Sequence, residues 1–393
     1  MSRRVVVKFG GADLSTGERV RRAAEMVKNS GYREVVVVVS AMGKTTDNLI
    51  GYLSEIGEVA DRDYADVIAM GERISARVFS SALKSLGLKS TYFDPQQERW
   101  PIITNSDFRS AKPILAETKR LVKKYLEPLL GECIPVVCGF LGKDDAGNIT
   151  TLGRGGSDTT AVLLGNCLEA DEIILVKETE GVLSADPKVV PEAKPLKELS
   201  VEEMFSLAHG GAKIIRSEAL RYKLPTQRLR VVSFSSGNLS EGGTEITGVF
   251  QSNSMEINGH EGLVALTLIG RINSENLSKL FSALGDSPIF GVSTGGVSVT
   301  VFTRLKDTSE MIKRLHHLSC FKAVTSREGV GVVELINPAF VDSPGWIAKI
   351  SGVLSSKGIN ILEITTSKAT INVFIDEKRI DEALAVMGDL VEA

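Results

Sequence analysis

Residues 150–161, TTLGRGGSDTTA, set an arginine, two adjacent glycines and a Ser-Asp pair directly ahead of an apolar run at 161–164. A fixed cation, a bare backbone and an acid at a helix start suit the binding of an anion, because helix N-termini point free N–H groups outward. Three further stretches have related chemistry: VKFGG, with Lys8, Gly10 and Gly11; VSAMGKTTDN; and VKETEGVLSADPK. Glycines let backbone amides approach phosphate without a Cβ clash, and a lysine beside them adds a movable cation. Any one Gly-Gly pair alone reads as a tight turn. Four such loops at strand ends point to a phosphate-bearing ligand.

The segment MGKTTD carries the G-K-T end of a Walker P-loop, but the first glycine of that motif would fall on Val38. Val38 lies within a strand-like run, so no phosphate-wrapping loop can form there. Thr45 and Thr46 then read either as hydroxyl donors to a substrate oxyanion or as helix-capping residues.

The elements that must position these loops follow from periodicity. RVVVKFG, EVVVVVS, CIPVVCGF, DEIILVK and RLRVVSF read as short strands buried on both faces. GERVRRAAEMVKNSGY and DTTAVLLGNCLEA read as helices between them, the first closing on Gly31. This β-α-β alternation predicts an α/β domain with a mostly parallel central sheet. A polar passage through QSNSMEINGHEG follows, and the rhythm then changes. LVALTLIG, GVSVTVF, GVVELI and TINVFID read as alternating strands, separated by the helical stretches SENLSKLFSALG and SPGWIAKISGVLSSKG. The expected division is residues 1–250, then two small α+β units at 260–325 and 326–393, a weak internal repeat. Units of that size bury little core alone and should pair.

Composition narrows the class. Apolar residues make up 43% and charged residues 24% of 393, with a net charge of −3, which gives no footing for a nucleic-acid partner. Cys133, Cys138, Cys167 and Cys320 show no metal-ligand pairing and read as buried thiols in a reducing compartment. The N-terminal apolar run is far too short for a signal segment, and no stretch approaches the roughly 18 apolar residues of a membrane span. A cytoplasmic location is expected.

In order along the chain, KFGG, VSAMGKTTDNL, MGERISA, GFLGKDDAGNITTLGRGGSDTTA and GVLSADPKVVP closely resemble the aspartate kinases of the amino-acid kinase superfamily. The stretch DSPGWIAKISGVLSSKGINILEITTSKATINVFID resembles an ACT module. The resemblance implies a three-layer amino-acid kinase domain followed by two ACT-like, ferredoxin-like units. It also implies transfer of the ATP γ-phosphoryl group to the β-carboxylate of L-aspartate, the first step towards lysine, threonine and methionine. Mg²⁺ would be held mainly by ATP and water, and a homodimer would form through the ACT region.

Roles are implied residue by residue. Lys8 would neutralise the β- and γ-phosphates, with the amides of Gly10 and Gly11 alongside, and Asp158 would orient Lys8 and the metal's waters. Arg154 would take the substrate α-carboxylate and Glu72 its ammonium. Ser40, Thr46 and Ser157 would offer hydroxyls, and Gly155 and Gly156 would keep the backbone close. The alternative for Glu72 and Arg73 is a solvated helix face. Lys177, Glu178, Leu183, Asp186, Lys188 and Lys213 fall on the nucleotide side, where this chain departs from the family. KETEG replaces a T-D-V-D-G-like stretch, Leu183 a tyrosine and Lys188 an arginine; GGAKIIRS keeps Lys213 but loses a His-Pro pair, and Ala12 removes a hydroxyl. In the ACT region, Asp342, Pro344, Gly345, Asn360 and Ile361 would hold an amino-acid effector such as lysine or threonine. The alternative reading of DSPG is a helix cap with proline near its first turn. Other readings of the whole chain are a kinase for another acidic amino acid or UMP, or a catalytically weak amino-acid sensor.

Overall fold

The valine runs become the middle of one sheet. In the computed structural model, which describes residues 3–153, 155–209, 214–249, 255–341 and 343–392, β1 (Arg4–Phe9) and β2 (Glu34–Val39) each bury five residues in succession. The helix α1 (Gly17–Asn29) joins them, with Thr16 accepting the Arg19 amide at 3.2 Å as its cap. Then come α2 (Thr45–Ile56), α3 (Asp61–Ser85), β3 (Ser90–Phe93), α4 (Leu115–Tyr125) and β4 (Ile134–Cys138). A small hairpin, β5 (Leu141–Lys143) and β6 (Ile149–Thr151), leads into α5 (Gly156–Leu168) and β7 (Glu172–Lys177). The remaining elements are β8 (Glu198–Ser200), α6 (Val201–His209), α7 (Ser217–Leu220), β9 (Arg228–Ser233) and β10 (Thr244–Thr247).

Eight of these strands form a sheet in the order β3-β4-β2-β1-β7-β9-β10-β8, parallel everywhere except between β9 and β10. From β1 the chain moves to β2 on one side, and it returns at β7 on the other. The carboxyl ends of β1 and β7 therefore flank a switch in direction, where open α/β sheets bind their ligands. All thirteen residues of α5 are buried, and it packs on β1, β2 and β7. Val38 lies inside β2, which leaves no room for a P-loop.

The chain divides into two units, Met1–Phe250 and Gln251–Ala393. The second is built on β11 (Glu256–Ile269), α8 (Ser274–Leu284), β12 (Ile289–Thr294), β13 (Ser298–Thr303) and α9 (Thr308–His317). The same order repeats in β14 (Ala323–Ile336), α10 (Trp346–Ser356), β15 (Ile361–Ser367), β16 (Thr370–Asp376) and α11 (Ile380–Glu392). Six strands make one sheet, β12-β13-β11-β14-β16-β15. One feature departs from the sequence reading. The passage EINGHEG is not a linker but the first half of β11, which runs antiparallel along β14. Its polar look has a physical cause: Asn258, Gly259 and Glu261 are exposed, and the alternation breaks where the pairing shifts register between His260 and Leu263, with Gly262 at φ +70°. Gly329 in β14 matches it at φ +71°. The two repeats therefore share their long strands. Met255 and Ile257 pack with Val333, Ile350 and Val373, while Leu266 and Leu268 pack with Leu280 and Val301.

Among the described residues, no helix is long and apolar enough to cross a membrane. All four cysteines are free thiols.

Candidate active site

Lys8, next to last in β1, sends its ammonium to the head of α5, where Nζ lies 2.8 Å from Asp158 Oδ1. Lys177, the last residue of β7, donates to the same carboxylate at 3.2 Å (Oδ1) and 2.9 Å (Oδ2). Lys8 is 5% and Asp158 4% exposed, so this is a buried Lys-Asp-Lys cluster and not a surface pair. Burial pushes the Asp158 carboxyl up, but Lys177 and Lys8 together outweigh it and hold the group below the usual carboxylate range. Burial lowers the Lys177 ammonium, aided by the like charge of Lys8 and opposed by Asp158.

The glycine pair after β1 sits against this cluster. Modelling a side chain onto Gly11 would bring a Cβ within 2.7 Å of the Ala41 carbonyl oxygen, so the approach of the two loops requires glycine there. The Gly10 amide donates to Asp13 Oδ2 at 2.8 Å. Asp13 is 1% exposed, and its other oxygen has no hydrogen-bond partner among the described residues. Burial and the neighbouring Glu178 carboxylate raise Asp13 to about 7, against the pull of the Gly10 amide and Lys8. Arg19 pairs with Glu178 and stands 4.0 Å from Asp13 Oδ1.

On the other side, Glu72 reaches from α3 to the end of β2, where its Oε1 accepts the Ala41 amide at 3.0 Å. Its Oε2 is buried without a partner among the described residues. Burial raises this carboxyl to about 7, despite the Ala41 amide, the residue's own amide and Lys8. The solvated-face reading of Glu72 and Arg73 is therefore set aside. Arg73 is buried too, with Nε 2.9 Å from Asp94 Oδ2 and NH2 2.6 Å from Gln96 Oε1. Ser40 links the ends of β1 and β2 through its amide to the Phe9 carbonyl, 3.2 Å, and Thr46 stands in the first turn of α2. The Thr45 hydroxyl turns back to the Met42 carbonyl at 2.6 Å, a local contact. Ser157 and Gly156 are buried in the first turn of α5. Gly155 caps that helix at φ +71°, with the Arg216 side chain lying against it. Arg154 and Lys213 lie outside the described residues.

The nucleotide-side positions are more scattered. Leu183 bridges to Pro195, while Asp186 and Lys188 are exposed on the same loop, Asp186 accepting the Lys188 amide at 2.9 Å. Among the described residues, neither shares a hydrogen bond or ion pair with Lys8 or Asp158. Beside this loop, at the carboxyl end of β9, lies a cavity of about 420 Å³ lined by Glu180, Lys197, Ser233, Ser235, Ser236 and Glu241. Apart from Glu180 within KETEG, these residues were not anticipated; the Ser-Ser-Gly after the β9 strand was the available signal. Asp13 was also missed. In the second unit, Gly345 caps α10 at φ +92° and has no side chain of its own to close the helix end, and Pro344 and Asn360 are exposed while Ile361 is half-buried. Asp342 lies outside the described residues.

The side chains at this cluster do not form a cage for Mg²⁺. Both Asp158 oxygens are taken by lysine ammonium groups, and no group of three His, Cys, Asp or Glu side chains that could hold a metal occurs among the described residues. The arrangement fits an ion carried in by the nucleotide and its waters, with Asp158 reaching it through water.

Comparisons with known proteins identify the family. The amino acid kinase family matches residues 3–233, and the ACT domain matches residues 325–388. The chain is 32% identical to an aspartokinase of Mycolicibacterium smegmatis, over 98% of this chain and 95% of that protein. It is also 32% identical to one of Corynebacterium glutamicum, over 98% and 95%. The crystal structure of an aspartate kinase from Synechocystis superposes with a TM-score of 0.78 at 27% identity, covering 99% of this chain and 70% of that one. The chain belongs to the amino acid kinase family and, within it, to the aspartokinases.

Proposed function

We propose that the protein transfers the γ-phosphoryl group of ATP to the β-carboxylate of L-aspartate, giving 4-phospho-L-aspartate. The observation that carries this reading is the buried Lys8–Asp158 pair at the head of α5, with Glu72 directed at the end of β2. In the reaction the bond between Pγ and the β,γ-bridging oxygen breaks, its electron pair leaving with ADP. A new Pγ–O bond forms to the aspartate carboxylate. That carboxylate is already ionised at neutral pH, so no proton is moved and no general base is needed. The work of the protein is positioning and charge neutralisation.

Lys8 would meet the β- and γ-phosphates, and Asp158 would hold Lys8 in line. Arg154 and Glu72 would bind the α-carboxylate and ammonium of the substrate, flanked by hydroxyls of Ser40, Thr46 and Ser157. The cavity by Ser233 and Lys197 is a suitable size for the nucleoside. Mg²⁺, when bound, would neutralise phosphate charge. Residues 1–250 would be the catalytic domain, with 260–325 and 326–393 the regulatory repeats that join two subunits. The test is a coupled ADP-release assay with ATP and L-aspartate, glutamate, N-acetylglutamate or UMP, with hydroxylamine trapping to identify the acyl phosphate formed. Aspartyl hydroxamate as the main product is expected. Turnover of glutamate or UMP without aspartate would overturn the assignment.

A further inference from the structure

β1 and β7 run side by side in parallel, with Lys8 in register with Leu175. Side chains alternate along a strand, so Lys177, two residues beyond Leu175, projects from the same face as Lys8. The two ammonium groups share Asp158 unequally. Lys8 meets one oxygen, whereas Lys177 donates to both. A lysine that turns to an incoming polyphosphate must loosen its hold on its carboxylate partner. Were Lys8 the sole partner, that movement would strand a buried anion, one of the costlier events in a protein interior. The Asp13 carboxylate attracts both ammonium groups, which eases the repulsion between the two cations.

We propose that Lys177 is the resident counter-ion of Asp158, a positioning residue that frees Lys8 to engage the nucleotide phosphates. This rests on the reading of the protein as an ATP-dependent kinase. It gives a reason for a lysine where T-D-V-D-G would put threonine: the charge of Asp158 stays balanced while Lys8 moves.

The experiment is calorimetric titration of the full-length protein with MgATP in the absence of aspartate. It compares Lys177→Met, Lys177→Arg and the double variant Lys177→Met/Asp158→Asn. Lys177→Met should weaken MgATP binding about tenfold, because Lys8 is then held by Asp158, while Lys177→Arg should stay within about threefold of wild type. The double variant removes cation and anion together, so its MgATP affinity should return to within about threefold of wild type, even with turnover lost. A double variant as weak as Lys177→Met would mean that Lys177 touches the nucleotide itself, and the counter-ion role would be wrong. Unchanged MgATP binding in Lys177→Met, with only a lower melting temperature, would reduce the contact to a structural ion pair. If Lys177→Met fails to fold, the double variant decides alone, since it keeps the net charge of the wild-type cluster and the Asn amide oxygen can still accept from Lys8. Binding of MgATP requires no acceptor, so failure of aspartate as substrate leaves this test standing.

Discussion

The Asp13 carboxylate occupies the Gly10 amide at 2.8 Å, the N–H group that the glycine loop would offer to a phosphate oxygen. An ionised carboxylate there opposes the polyphosphate. Burial and Glu178 raise Asp13 to about 7, so it gains its charge as pH rises through neutrality. Wild-type affinity for MgADP should therefore weaken between pH 6 and 8 relative to Asp13→Asn, which keeps the oxygen acceptor and removes the charge. Calorimetry on both proteins at the two pH values checks this. Parallel pH dependence in the two would show that Asp13 carries no field the nucleotide feels.

Glu72 presents a buried, unpartnered Oε2 beside its Ala41 contact, the position proposed for the substrate ammonium. Glu72→Gln should raise the KM for aspartate by about 1.5–3 kcal/mol, the scale of a hydrogen bond to a charged group, with kcat less affected. Its effect on stability has the opposite sign. A carboxyl raised from 4.5 to about 7 binds its proton more tightly folded than unfolded, so stability falls as pH rises through that window. Glu72→Gln should thus melt higher than wild type at pH 8 and nearly alike at pH 4.5. Thermal unfolding at both pH values measures it.

Binding and chemistry should separate between two other residues. Arg154→Ala should chiefly raise the KM for aspartate, by about 2–4 kcal/mol of lost charge-assisted hydrogen bonding. Lys8→Ala should chiefly lower turnover. Steady-state kinetics with each substrate varied in turn tests both, and equal losses of turnover with aspartate binding intact would contradict the roles.

Gly155 begins α5 in the left-handed region, and a Cβ there would lie 3.0 Å from the Arg216 Cβ. Gly155→Ala should cost about 1–2 kcal/mol in chemical denaturation, from the φ penalty and the displaced arginine. Because Gly155 follows directly on Arg154, the residue proposed to hold the substrate α-carboxylate, aspartate affinity should fall with it.

What could be read in advance follows physical lines. The valine strands and α5 were legible because burial on both faces leaves no polar interruption. Lys8 and Asp158 were legible because each stands at the end of such a run. Asp13 was not: after Gly-Gly-Ala it looks like an ordinary turn residue, and only the fold encloses it with Lys8 and Glu178. Glu72 and Arg73 carry the residue types of a solvated helix face, and their burial comes from partners far away in sequence, at Ala41 and Asp94. The long strands β11 and β14 were half hidden, since Gly262 and Gly329 break the alternation where the register shifts.

Control by an amino acid should be asymmetric between the repeats. At the start of α8, Asn273 accepts the Asn276 amide at 2.9 Å, so that helix end is closed by its own side chain. At the matching place α10 is preceded by Gly345, at φ +92°, which has no side chain of its own to cap the first amides. An α-carboxylate is suited to such an end, while Asp342 would supply an acid for the ammonium, and Asn360 lies exposed just ahead of β15. Lysine or threonine bound there can shift activity only through a difference in affinity between a more and a less active state. Calorimetry with both amino acids should show binding to wild type, weakened about tenfold or more in Asp342→Ala by loss of the charge pair. Replacing Asn273 should leave that binding unchanged. Binding indifferent to Asp342, or binding of no amino acid except aspartate, would remove the α10 end as the effector site and leave DSPG as a helix cap.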